Sequence, residues 1–183
     1  MSDYQTPLEN YHAHVTGYLS QKCPWLQSVR DYPETETELA TPCAFLTIDG
    51  WDAAGDDAAH CGPTSVTLDC QILVLVSLNT TDERGAGARS YQRLVRDAAA
   101  ALSVCVSDSA LGMNGHRCVF VNAQPYGFDP GLDGYATWEV RYKHTVDFGD
   151  DLFAGDGQTP GQVLVGIKPA IGPAHINEYN RVN

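Results

Sequence analysis

Basic residues are scarce in this chain. Of its 183 residues, 11 are lysine or arginine and 23 are aspartate or glutamate, a formal net charge of -12. That surplus repels nucleic-acid phosphate and anionic lipid, so neither sequence-reading of DNA nor attachment to a membrane surface is expected. Long apolar runs are missing as well, and no window approaches the roughly 20 residues of a membrane-spanning helix. The opening MSDYQTPLENYH has neither the basic start nor the apolar stretch of a secretory signal, which makes the cytosol the expected place of synthesis and residence. Paired cysteine spacing is also lacking. Cys23, Cys43, Cys61, Cys70, Cys105 and Cys118 are scattered, so they read as thiols, with Cys43, Cys70 and Cys118 in apolar settings that suit small buried hydrophobes.

The common chemical motifs are absent: no G-x-S-x-G, no phosphate-cradling glycine loop with lysine, no G-x-G-x-x-G and no H-E-x-x-H. No catalytic, cofactor-binding or metal-binding residue is therefore assigned. His60 and Cys61 lack zinc-knuckle spacing, and His12 and His14, two apart on a helix, face different ways. Asp147, Asp150, Asp151 and Asp156 lack the alternate-position spacing of a calcium loop. Asp56 and Asp57 sit in an Ala/Gly segment with no apolar neighbours to shift their ionisation. His144 lies on the apolar side of a strand pattern, where a hydrogen-bonded core or interface role is expected rather than that of a base.

What is present is strict alternation. Over 136–148, Ala136, Trp138, Val140, Tyr142, His144, Val146 and Phe148 alternate with Thr137, Glu139, Arg141, Lys143, Thr145 and Asp147. Over 65–78, Val66, Leu68, Cys70, Ile72, Val74, Val76 and Leu78 repeat the pattern, although Leu73 and Leu75 break the polar side. Successive strand side chains point to opposite faces, so these runs predict two paired central strands in a sheet covered on one face. Around them, Pro7 and the stripe Leu8, Tyr11, Val15, Tyr18 and Leu19 predict a helix capped by Thr6 and Glu9 and ending near Cys23. Tyr91, Leu94, Val95, Ala98, Leu102 and Val106 predict a second helix over 89–106. Further extended segments are expected at 27–32, 42–48 and 116–126, with a long loop over 49–63.

The predicted fold class is therefore α/β of the α+β kind: a mixed, largely antiparallel sheet with helices packed on one face. One domain is expected over 1–150, followed by an extended C-terminal arm over 151–183, whose irregular Gly and Pro content implies that it finds its partners on another subunit. Two polar surfaces stand out. Arg89, Arg93 and Arg96, at i, i+4 and i+7, form a basic ridge that is either a solvated helix face or a contact for acid groups of an adjacent copy. Glu139, Arg141 and Lys143 form either the wet side of the sheet or a docking side.

The strand WEVRYKHTVDF, then GDDLF, then VLVGIKPAIGPAHINEYNRV, resembles the C-terminal region of tail terminator proteins of long-tailed, Mu-like bacteriophages. The pattern V-x-x-G-x-x-P-x-I-G-P-x-H-x-x-x-Y is met by Val163, Gly166, Pro169, Ile171, Gly172, Pro173, His175 and Tyr179. The order of helices and strands is similar over most of the chain, whereas the first 60 residues match in layout alone. The resemblance implies a structural virion protein without enzymatic activity or cofactor. It implies a ring, six-membered in the family, capping the head-proximal end of the tail tube, and partners that are copies of itself, the tail tube protein and a head-completion or connector protein. DNA would pass through the lumen without specific binding, and no membrane is involved. Leu164, Ile167, Pro169, Ile171, His175 and Tyr179 of the arm then join the two polar surfaces as expected contacts. Another neck protein between portal and tail is the near alternative. A small cytosolic metal- or ligand-binding enzyme using the aspartates after Phe148 is the alternative from a different class, and it requires a concave pocket with convergent polar groups.

Overall fold

The computed structural model describes residues 7–32, 39–54, 64–80, 91–113, 116–127 and 130–149, and the backbone of 163–165 and 180–182. The chain divides into two compact units, Met1–Gly149 and Asp150–Asn183. In the first, helix α1 (Pro7–Lys22) and helix α2 (Tyr91–Val106) pack on a sheet of five strands: β1 (Ser28–Asp31), β2 (Cys43–Ala53), β3 (Thr64–Ser77), β4 (Val119–Pro125) and β5 (Tyr135–Phe148). A 3-10 turn, Pro130–Leu132, precedes β5. The fold is α+β, as the alternation predicts. The strand order is β1-β2-β3-β5-β4, with β1 parallel to β2 and every other pair antiparallel.

The two alternating runs are neighbours from Thr64 opposite Phe148 to Ser77 opposite Tyr135. That register places Val66, Leu68, Cys70, Ile72, Val74 and Val76 beside Val140, Tyr142 and Val146 on one face, where they meet Tyr11, Val15 and Leu19 of α1 and Val95, Ala99, Leu102 and Val106 of α2. The alanines of α2 present little bulk, so its axis can approach the sheet closely, and the burial of this face is the main source of stability. α1 ends where expected: Cys23 makes a last helical hydrogen bond to the Leu19 carbonyl at 2.8 Å, and Pro24, lacking an N–H, continues no further. Beyond α2 the chain turns sharply. Gly112 has φ +77°, and a Cβ there would stand 2.9 Å from the Tyr18 ring, so glycine is required both for the backbone conformation and for the close approach.

Three expectations need correction. The strand expected to stop at Ile48 continues to Ala53 through a register shift between Ile48 and Gly50, with Trp51 opposite Leu68 and Ala53 opposite Val66. The ladder groups of β3 and a bulge outweigh the poor strand propensity of Asp49, Gly50 and Asp52. Residues 55–63 of the expected loop lie outside those described. The second face of the sheet is also not wholly wet: Leu73 and Leu75, the residues that break the polar alternation, join Leu39, Cys43, Phe45 and Leu132 in a small second core. Finally, Leu78 falls beyond the end of β3 and is 39 % exposed rather than on the apolar face.

In the second unit, β6 (Val163–Val165) and β7 (Asn180–Val182) pair antiparallel, Val163 opposite Val182. The 149–183 stretch, read as irregular, thus contains a short ladder.

Candidate functional site

The polar face of β3 and β5 is a ladder of compensated pairs. Register puts Ser65 opposite Asp147, Thr67 opposite Thr145, Asp69 opposite Lys143 and Gln71 opposite Arg141. The Ser65 hydroxyl donates to the Asp147 carboxylate, the Thr67 and Thr145 hydroxyls lie 3.0 Å apart, and Lys143 Nζ is 3.0 Å from Asp69 Oδ1. Cross-strand pairs of this kind stiffen a sheet while leaving its surface polar.

Toward the second core the ladder closes around Glu139, which is 3 % exposed. Gln71 Nε2 donates to its Oε2 at 2.8 Å, Gln124 Nε2 donates to Oε1, and Arg141 Nε donates to Oε1 at 3.2 Å. Arg141 also reaches Asp49 at 3.7 Å. The buried carboxylate is satisfied by three side chains from three strands, as its burial demands. The expectation that Glu139 belongs to a docking surface is therefore corrected: with Leu73 opposite it and the second core beginning there, Glu139 is an internal anchor that orients Arg141. Arg141 and Lys143 remain about half exposed and are the accessible members of that face.

The basic ridge divides. Arg93 runs along the helix toward Asp97, 3.9 Å away, with both side chains mostly exposed. Arg96 crosses to the sheet and holds its guanidinium over the Trp138 ring, 5.3 Å from the centroid. Beside it a cavity of ≈ 330 Å³ opens between the first turns of α2 and the start of β5. A second groove, of ≈ 410 Å³, is lined by Trp25, Pro42, Val76, Leu94, Ala98 and Ala101, with Thr80 and Asp97 as its polar members. Arg89, and on the arm Ile167, Pro169, Ile171, His175 and Tyr179, lie outside the described residues, as does the side chain of Leu164, whose backbone pairs opposite Arg181.

A buried polar cluster lies under the helices. His144 Nε2 is 3.0 Å from the His116 carbonyl, which can only accept, so Nε2 carries the proton and Nδ1 accepts from the Tyr11 hydroxyl at 3.0 Å. Tyr11 in turn is 3.4 Å from the Tyr142 hydroxyl and 3.5 Å from Cys70 Sγ. Burial drives the ionisation of the whole cluster toward neutrality. It lowers His144, although the His116 carbonyl opposes this, raises Tyr11 and Tyr142 well above the usual phenol range, and pushes the Cys70 thiol up to about 11. His144 is the hydrogen-bonded core residue that its place in the alternation predicts.

The partners of His144 were not legible, because Tyr11 is 133 positions away. The same holds for His12, whose buried Nδ1 has no hydrogen bond and stands 3.6 Å from the Asp31 carboxylate, and for the Cys23 thiol, pushed up to about 12 by burial and by the adjacent Cys105. Cys43, Cys70 and Cys118 are buried thiols, as expected from their apolar settings. Among the described residues, no cluster of three or more His, Cys, Asp or Glu could hold a metal ion, and no helix is long and apolar enough to cross a membrane. His60, Cys61, Asp56, Asp57, Asp150, Asp151 and Asp156 lie outside the described residues.

Comparison with protein-family models and with curated proteins yields no match.

Proposed function

We propose that this chain is a structural virion protein, a phage tail terminator that assembles into a ring on the head-proximal end of the tail tube and offers the head-completion proteins a surface to join. The observation that carries this reading is the placement of its polar groups. Among the described residues the groups with shifted ionisation are buried, His144, Tyr11, Tyr142 and Cys70 among them, whereas the accessible Arg141 and Lys143 of the sheet belong to a stiff ladder in which their charges are already paired. Catalytic sites gather shifted groups in a cleft. Here the open face is a preorganised plate, suited to meeting another protein surface without making or breaking bonds.

The pattern from Val163 to Tyr179 supports the family, and the charge supports the setting. A net charge of -12 makes a lumen through which DNA slides without sticking. A closed ring needs a heterologous interface, one patch meeting a different patch on the next copy. The exposed Arg93 and Arg96 on one helix and the acidic surplus elsewhere are suitable complements.

Imaging of the purified protein by negative-stain electron microscopy, with sedimentation to establish mass, tests the proposal. Closed rings, and tails of uncontrolled length or unjoined heads in particles made without the protein, are the expected results. A monomer at every concentration, or particles of normal tail length without it, would overturn it.

A further inference from the structure

Helix α2 carries its charges against its own dipole. It has no acidic residue in its first turn and no basic residue in its last; instead Arg93 sits in the first turn and Asp108 lies just past the end. Aligned peptide dipoles favour the reverse, anions at the start of a helix and cations at its end. Both groups are exposed. Arg93 reaches Asp97 at 3.9 Å, and Asp108 is held by Arg117 at 2.7 Å, which leaves lone pairs on its carboxylate for a second donor. A helix lying antiparallel beside α2, with acid at its far end and base at its near end, compensates both, and α2 itself is such a helix.

The apolar surface between these charges is complementary to itself as well. Val104 is 78 % exposed, the most open large apolar side chain among the described residues. Less than two turns before it, Leu94, Asp97, Ala98 and Ala101 border the ≈ 410 Å³ groove, which Trp25 and Val76 help to line. Their spacing, i, i+3, i+4 and i+7, is that of the four residues framing a hole into which a side chain of a facing helix packs. Placing Val104 of an antiparallel copy at the centre of this hole puts the two-fold axis between Ala100 and Ala101, both exposed and small enough for close approach. The same register sets Arg93 opposite the copy's Asp108 to within about half a residue along the axis. The groove lies to one side of Val104, so the two helices cross at an angle, as interlocked ridges do. The stretches of chain that adjoin the groove in sequence, 33–38 and 81–90, contain no Val, Leu, Ile, Met or aromatic residue with which to fill it.

We infer that the outer face of α2 is a self-docking surface, on which α2 of a second copy lies antiparallel, with Val104 of each copy in the groove of the other and Arg93 of each beside Asp108 of the other. The contact is isologous and closes at two copies. It goes beyond the head-to-tail contact of the proposed ring and does not rest on it: it joins two free chains, or two rings face to face.

The test uses the full chain. Sedimentation velocity over a range of concentrations is run on the wild type, on Val104→Glu, on Arg93→Asp, on Asp108→Arg and on the last two combined, with circular dichroism to verify that each is folded. Val104→Glu and each single charge reversal should weaken pairing about tenfold or more, and the combined reversal should restore most of it. Asp108→Arg is the sharpest of these, because it brings the net charge nearer zero and would strengthen an association limited by general repulsion alone. Pairing that survives Val104→Glu unchanged, or that Asp108→Arg strengthens, overturns the inference. In parallel, Ala100→Cys, beside the two-fold axis, should form a disulfide with its copy on mild oxidation, whereas Gln92→Cys, roughly 25 Å from its copy along the axis, should not; the wild type is oxidised alongside to account for the native thiols. No disulfide at position 100 in a chain that forms rings overturns the inference and leaves the ring standing. A disulfide there in a chain that forms no rings supports the inference and removes the ring, and a chain that is monomeric at every concentration and forms no disulfide there overturns both.

Discussion

Tyr11 ties the first helix to the sheet by more than apolar contact. Its hydroxyl supplies the proton that His144 Nδ1 must accept once Nε2 is committed to the His116 carbonyl. Tyr11→Phe keeps the ring and removes that donor, leaving a buried acceptor unmet. The expected loss is about 1–3 kcal/mol, seen in urea denaturation as a lower midpoint with an unchanged slope. A pH dependence follows from the same neighbourhood. His12 and His144 are both lowered by burial, the first against the pull of Asp31 and the second against that of the His116 carbonyl. The folded protein therefore holds both neutral at pH values where the unfolded chain has begun to bind protons, below about 6.5. Stability is full above that pH and falls as pH drops toward the lowered folded values. Urea midpoints should decrease between pH 7.5 and pH 5.8, and His144→Asn, weaker throughout, should lose less over that interval.

Among the described elements, the edge strand β4 leaves large apolar side chains open. Val119, Phe120 and Val121 are 63, 39 and 48 % exposed, and the strand VFVNAQP carries no charge. Open apolar edges template further pairing, and the register shift between Phe120 and Asn122 is the kind of bulge that blunts one. Val121 falls at that shift, so its side chain can be replaced without disturbing the ladder. Val121→Lys should change stability by no more than about 0.5 kcal/mol and should lower the rate of aggregation on mild heating, measured by light scattering. An unchanged rate would show that association proceeds through another surface. The opposite edge, β1, needs no such device, because Arg30 and Asp31 already place charge there.

At the scale of the whole molecule, the excess of acid leaves each cation with a large influence. Arg93 is exposed, and its pairing with Asp97 at 3.9 Å is of the surface helical kind that contributes little to folding. Arg93→Glu should therefore leave the fold within about 0.5 kcal/mol of the wild type, while weakening self-association in sedimentation. The ring proposed above should itself loosen as salt is raised, because contacts between exposed charges are screened over about 8–10 Å at 0.1–0.15 M. Rings that form normally with Glu at position 93 would remove the helix face from the interface.

Much of this architecture is local, and local features are what a chain displays in one dimension. The alternation at 65–78 and 136–148, the stripes of α1 and α2, and even the two leucines that break the polar side of β3 could be read directly, because strand and helix periods repeat within a few residues. Pairing decided the rest. Glu139 looked like a surface residue because its own strand makes it one, and it is buried because Gln71, Gln124 and the second core close over it from other strands. The extension of β2 to Ala53 depends on the ladder offered by β3. The parting of Arg93 from Arg96 depends on where Trp138 stands, 42 positions beyond Arg96, and no spacing within α2 encodes the position of that side chain.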